Sequence, residues 1–196
     1  GQDGDGNGLI LLKTSQADAI LSGAKMLQHH GWRAGEPWLA EVALPDSFDW
    51  ALTGLDTEKP TEDWTALGVT PRNGPLAPGL GASILLPQAR KGPAFLVYPN
   101  YRVLFEWNQS FVYVTTAAYF GTRIEGAQPY AAGSPDPALA VDQMTALQEK
   151  LAAHGHDVGK IDGILGAGTR TAVQKEQIRL GLPADGWPTR GLLDAL

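Results

Sequence analysis

Near its start the chain reads Asp3-Gly4-Asp5-Gly6-Asn7-Gly8, with oxygen-bearing side chains on alternate positions and glycine between them. This is the pattern of the first half of an EF-hand loop: oxygens from Asp3, Asp5 and Asn7, a glycine for the sharp turn, then the backbone carbonyl of Leu9. The twelfth position is Thr14 rather than a bidentate glutamate, so the cation would meet few charges and bind modestly. Flexible and numerous oxygens favour Ca²⁺ over Mg²⁺. The alternative is a Gly-rich turn with incidental acids. A second constellation is Trp107-Asn108-Gln109-Ser110, followed by Tyr113. The Asn108 amide both donates and accepts, which suits the acetamido and hydroxyl groups of sugars. Here too a plainer reading stands beside it, with Asn108 as a helix cap and Tyr113 as a core residue. Glu36, Glu41, Glu62, Glu106 and Glu125 read as solvated surface charges. The histidines do not suggest zinc, because His29 and His30 are adjacent and His154 and His156 straddle a helix end.

The elements that must position these groups follow from periodicity. A helix is expected from about Asp18 to His30, with Asp18 as cap or first-turn acid and Gly31 as its stop. Residues 33 to 80 are rich in Pro and Gly and predict irregular structure, with one amphipathic stretch around Thr61 to Leu67. Ser83–Leu86, Pro93–Tyr98 and Tyr101–Trp107 predict a small antiparallel β-meander. After it, Tyr113, Ala117, Phe120 and Ile124, flanked by Phe111, Val114 and Ala118, predict a largely buried helix. Gln128 to Pro137 has linker composition, and beyond it the pattern restarts as three short helices: one around Leu139 to Leu151, one over Thr169–Leu180 and one over Thr189–Leu196. Asp162-Gly163 and Asp185-Gly186 each precede a helix and hint at a degenerate repeat, with both aspartates read mainly as scaffold. The expected organisation is therefore 1–127, a linker at 128–136, and 137–196.

Composition narrows the function. A chain of 196 residues with a formal charge of −6 and no long basic run is not expected to bind nucleic acid. With no cysteine there is neither a disulfide framework nor a thiolate metal site. No apolar run approaches the ~18 residues of a membrane span, and Gly1-Gln2-Asp3 carries no signal-peptide pattern.

In the last segment, Leu147-Gln148, Gly155, Val158 to Gly166, Thr169-Arg170 with Ala172-Val173, and Gly181 to Gly186 together resemble the three-helix peptidoglycan-binding domain. One departure stands out, since Glu176 occupies the place where that family usually has a core Phe, which implies a looser core or a slightly rotated helix. Upstream, several stretches in order resemble the C-terminal half of the catalytic domain of the lytic murein transglycosylase B family. They are Asp3 to Gly8; Asp18-Ala19-Ile20 with His30-Gly31-Trp32; Trp64 with Leu67-Gly68-Val69; Gly92 to Val97 with Asn100-Tyr101; and Trp107 to Ser110 with Tyr113, Ala117 and Arg123-Ile124.

The resemblance implies an α+β fold: part of a lysozyme-like domain with a small antiparallel β-meander, followed by a three-helix wall-binding module. It implies cleavage between N-acetylmuramic acid and N-acetylglucosamine, with a 1,6-anhydro ring formed on the muramic acid, in the bacterial periplasm or envelope. It assigns Asn108, Ser110 and Tyr113 to the glycan groove, and adds Asp18 to Asp3, Asp5, Asn7 and Leu9 as the residue closing a structural Ca²⁺ loop. The family's acid–base glutamate lies in an upstream Glu-Ser pair; this polypeptide contains none, so it is expected to be inactive alone. An upstream segment or another protein chain is then expected to pack on residues 1–127, with glycan strands as the other partner and no organic cofactor. The rival reading is a non-catalytic wall-binding protein or an accessory subunit of an envelope assembly.

Overall fold

The computed structural model describes residues 1–196. Helix α1 (Gln16–His29) leads into strand β1 (Leu39–Ala43), the pair β2 (Lys59–Pro60) and α2 (Thr61–Ala66), and β3 (Thr70–Pro71). Strands β4 (Gly81–Leu85) and β5 (Ala94–Val97) follow, then α3 (Pro99–Val103) with a 3-10 turn over Leu104–Glu106, and α4 (Phe111–Ile124). The module consists of α5 (Val141–Ala153), α6 (Ala167–Arg179) and α7 (Arg190–Ala195). No helix is long and apolar enough to cross a membrane.

One antiparallel sheet, in the order β2-β4-β5-β1-β3, organises the first unit. Its central strands are apolar on both sides because both faces are covered. Val42, Ile84 and Leu96 face a core with Trp64, Val69 and Tyr98, while Leu39, Leu85, Phe95 and Val97 face one with Tyr101, Leu104, Phe111, Val114 and Ala118. Buried Trp64 donates from Nε1 to the Ala82 carbonyl at 2.8 Å, so its polar edge is satisfied within the core.

Three expectations are corrected. Residues 33 to 80 are not irregular throughout: they supply β1, β2, β3 and α2, because their backbone groups find ladder partners in the sheet, β1 on β5, β2 on β4 and β3 on β1. The run Tyr101–Trp107 is not a third strand. Pro99 at the start of α3 suits a helix, and the buried side chains Tyr101 and Leu104 are three residues apart, a helical rather than a strand period. The expected pairing of Ser83–Leu86 with Pro93–Tyr98 is present as β4 against β5. Helix α4, finally, is buried on one stripe only. Phe111, Val114, Thr115 and Ala118 are covered, whereas Val112, Tyr113, Phe120 and Ile124 are exposed.

In the module, Met144, Leu147, Leu151, Val158, Val173 and Leu192 close a small core. Two glutamines hold the Asp-Gly turns. Gln148 Oε1 accepts from the amides of Asp162 and Gly163 at 3.1 and 2.9 Å, and Gln177 Oε1 accepts from Gly186 at 2.9 Å. Both glycines have positive φ, 74° and 68°, as the turns require. Asp162 and Asp185 accept backbone bonds from Ile164 and Trp187, in agreement with scaffold roles. Glu176 is instead accommodated in the module by charge pairing. Its side chain is buried, and its two oxygens meet His156 at 2.7 Å, His154 at 3.5 Å and Arg179 at 2.6 Å.

The expected linker falls within the helix-free stretch 125–140, which is fastened along its length. Tyr130 packs edge-on against Tyr119 at 4.9 Å and Phe95 at 6.1 Å, and Ser134 donates to the Lys91 carbonyl at 2.9 Å. Glu41 accepts from the Ala131 amide at 2.8 Å and pairs with Arg72 at 3.5 Å, with its side chain 7% exposed. It is a buried anchor, not the solvated charge its composition suggested.

Candidate functional site

The turn between the 3-10 segment and α4 brings together the residues assigned to the sugar groove. Asn108 Oδ1 accepts from the Ser110 amide at 2.8 Å, and Ser110, the N-cap of α4, accepts from the Tyr113 amide at 3.4 Å. The cap is therefore Ser110, and Asn108 supports it from two residues upstream. The junction is helix to helix rather than strand to helix.

Tyr113 is not core. Its ring meets Trp107 edge to face at 5.2 Å, and the two are 50% and 48% exposed. Two half-exposed aromatic rings beside an amide form a platform suited to a sugar: apolar ring faces for the C–H side, and donor and acceptor groups at its edge. Trp107 belongs to this surface and not to a strand of the expected meander. Beneath the turn, Phe111 is buried and Tyr101 shares a 2.8 Å hydrogen bond with Thr115, its phenol pushed up to about 12 by burial.

At the other end of the unit, Asp3, Asp5 and Asp18 bring one carboxylate oxygen each to within 4.8 Å of one another. Asp18 sits in the first turn of α1, whose N-cap is Ser15, and is fully buried. Its two oxygens accept from the amides of Leu11 at 2.8 Å and Gly4 at 2.7 Å, which lowers its pKa and closes the loop on the helix. Asp3 accepts from Gly6 and Gly8, Asp5 from Asn7 and Ser15, and Asn7 from Leu9. Of the expected ligands, Asp3, Asp5 and Asp18 converge, while Asn7 and Leu9 lie in the same loop bonded to each other, and none of the three acids is paired with a basic side chain. All-oxygen donors with concentrated negative charge fit a hard cation.

The glutamates are dispersed. Glu62 accepts from the Gly79 amide, Glu36 pairs with Arg33, Glu106 is exposed near His30, and Glu125 is exposed.

The site is a pair of half-exposed aromatic rings at a helix start, on an α+β unit that carries a three-helix module. Comparison with known proteins gives the family. Residues 1–122 match the transglycosylase SLT domain and residues 141–196 match the peptidoglycan binding domain, and the chain belongs to the SLT-domain transglycosylase family. It is similar to SltB3 from Pseudomonas aeruginosa, solved in complex with NAG-anhNAM-pentapeptide, with 41% identity, a TM-score of 0.83, and coverage of 99% of this chain and 53% of that one. The same relative in complex with NAG-NAM-pentapeptide gives 41% identity, a TM-score of 0.83, and 99% and 54% coverage. A 36 kDa muramidase/transglycosylase is 25% identical over 63% of this chain and 39% of its own, with a TM-score of 0.50. This chain thus spans about half the length of the SltB3 structures. A search of curated proteins finds no match.

Proposed function

We propose that this chain supplies one wall of a lytic transglycosylase's glycan groove together with the module that holds the enzyme on peptidoglycan, in the periplasm of a bacterium. The reaction is cleavage between N-acetylmuramic acid and N-acetylglucosamine with formation of the 1,6-anhydro ring. The observation that carries this reading is the exposed Trp107–Tyr113 pair beside Asn108 on a chain that also holds a wall-binding module. SltB3, similar over nearly the whole of this chain, is solved with NAG-anhNAM-pentapeptide and with NAG-NAM-pentapeptide.

Exposed apolar groups around the first unit, Leu9, Ile10, Leu12, Ile20, Phe120 and Ile124, favour an upstream segment or another chain packing on it. Asp3, Asp5, Asn7, the Leu9 carbonyl and Asp18 would hold Ca²⁺, whose role is to tie the loop to α1. The test is sedimentation of the purified chain with peptidoglycan sacculi. Recovery in the pellet is expected; recovery wholly in the supernatant would refute the wall-binding reading.

A further inference from the structure

The module is docked on the first unit through one face of α6 and through Asp185, which accepts from the Arg90 amide at 3.3 Å. Gln174 Nε2 donates to the carbonyls of Trp50 at 3.1 Å and Thr53 at 2.9 Å, and Thr171 bonds Asp56 at 3.2 Å. Arg170 goes deeper. Its guanidinium donates to the carbonyls of Leu86 at 3.2 Å and Pro87 at 2.7 Å and lies 4.6 Å from the Phe111 ring centroid and 5.5 Å from that of Trp187. No carboxylate lies within ion-pair distance of it and Nε is buried without an acceptor, so the carbonyls and aromatic faces, with the more distant charge of Asp185, compensate the desolvated guanidinium. Phe111 is the first residue of α4, directly after the Ser110 cap. Its ring is held between the sheet-facing core and Arg170, and the adjoining turn carries Asn108 and Tyr113.

We propose that Arg170 is a positioning residue for the glycan-binding turn: by clamping Phe111 from the module side, it makes the wall-binding module part of the sugar site. The inference rests on the glycan reading of that turn. The module then does more than retain the protein on its substrate, since docking fixes the first turn of α4 in the conformation that presents Asn108 and Tyr113.

The test is amide hydrogen exchange on the full chain as wild type, Arg170→Met and Gln174→Ala. Methionine keeps the reach and apolar bulk but removes the charge and donors, whereas Gln174 docks on residues 50–53 without touching α4. The Tyr113 and Val114 amides, which bond to Ser110, should exchange about tenfold faster in Arg170→Met and at the wild-type rate in Gln174→Ala. Affinity for chitotetraose should fall several-fold in Arg170→Met alone. Phe111→Leu, which fills the core but removes the ring face, should give the same local pattern, and it decides the matter if Arg170→Met does not fold. Acceleration spread evenly over the chain, equal acceleration in Gln174→Ala, or none in either Arg170→Met or Phe111→Leu would overturn the proposal. Failure of wild type to bind chitotetraose would instead count against the glycan reading, with the exchange data still deciding the coupling.

Discussion

Glu176 shows how a single residue rewrites a local core. A carboxylate where an aromatic ring is usual would be costly if left unpaired, and here it is buried only because His156, His154 and Arg179 converge on it. The Arg179 hydrogen bond, with further bonds from the histidines, holds its pKa down to about 2 from an ordinary 4.5. The sign follows: a carboxyl whose pKa is lower in the folded state stabilises fully above pH 4.5 and loses that contribution as pH falls towards about 2. In Glu176→Gln the melting temperature should therefore fall at neutral pH, by the equivalent of about 1–3 kcal/mol, and its decline below pH 4.5 should flatten. Thermal melts of both proteins across that range check this; parallel pH profiles would contradict it. At the Trp107–Tyr113 pair, Tyr113→Ala removes a half-exposed ring without disturbing the core. Chitotetraose affinity measured calorimetrically should drop by roughly tenfold, about 1–2 kcal/mol, with little change in melting temperature.

The Asp-Gly loop and α1 act as one element, because Asp18 accepts backbone bonds from both Gly4 and Leu11. Ca²⁺ at about ten times its dissociation constant should stabilise the fold by about 1.4 kcal/mol, raising the melting temperature by a few degrees over a chelator-treated sample. An unchanged melt would remove the cation from the account. Loop and helix were both legible in the sequence, since turn glycines, caps and a 3.6-residue period are local signals. The segment after β5 was not. Tyr101, Val103, Phe105 and Trp107 alternate as a strand would, and only the packing of Tyr101 and Leu104 beneath the sheet selects the helix. Strands β2 and β3, two residues each, depend wholly on β4 and β1 for their pairing and leave no pattern of their own. Asn108, Ser110 and Tyr113 were grouped by the family resemblance, but their division into cap, support and platform required the folded geometry. Arg170 escaped because its partners, Leu86, Pro87 and Phe111, lie far away in the chain.

Taken as a molecule, the chain joins a transglycosylase SLT domain match to a peptidoglycan-binding domain match, and the glutamates described above are spent on structure or exposed to water. General acid catalysis at a glycosidic oxygen needs a carboxyl held protonated within hydrogen-bond reach, a contribution of ~100- to 10,000-fold. Glu41 is tied to Arg72 and the Ala131 amide, and Glu62 to the Gly79 amide. Incubated with sacculi, the purified chain should release no 1,6-anhydromuropeptides detectable by mass spectrometry. Their appearance would force one of these glutamates into a catalytic role.

The fastening of residues 125–140 bears on how such a protein would travel. A polypeptide leash lets a tethered enzyme sweep a volume of substrate around its anchor. Here Tyr130, Ala131, Ser134 and Asp136 are each bound to the first unit, and Arg170 locks the far side. The distance between the module and the Trp107–Tyr113 turn is then a constant of the fold; on the proposed glycan reading the protein would meet its substrate at a set offset from its anchor, and advancing along the wall would require letting go.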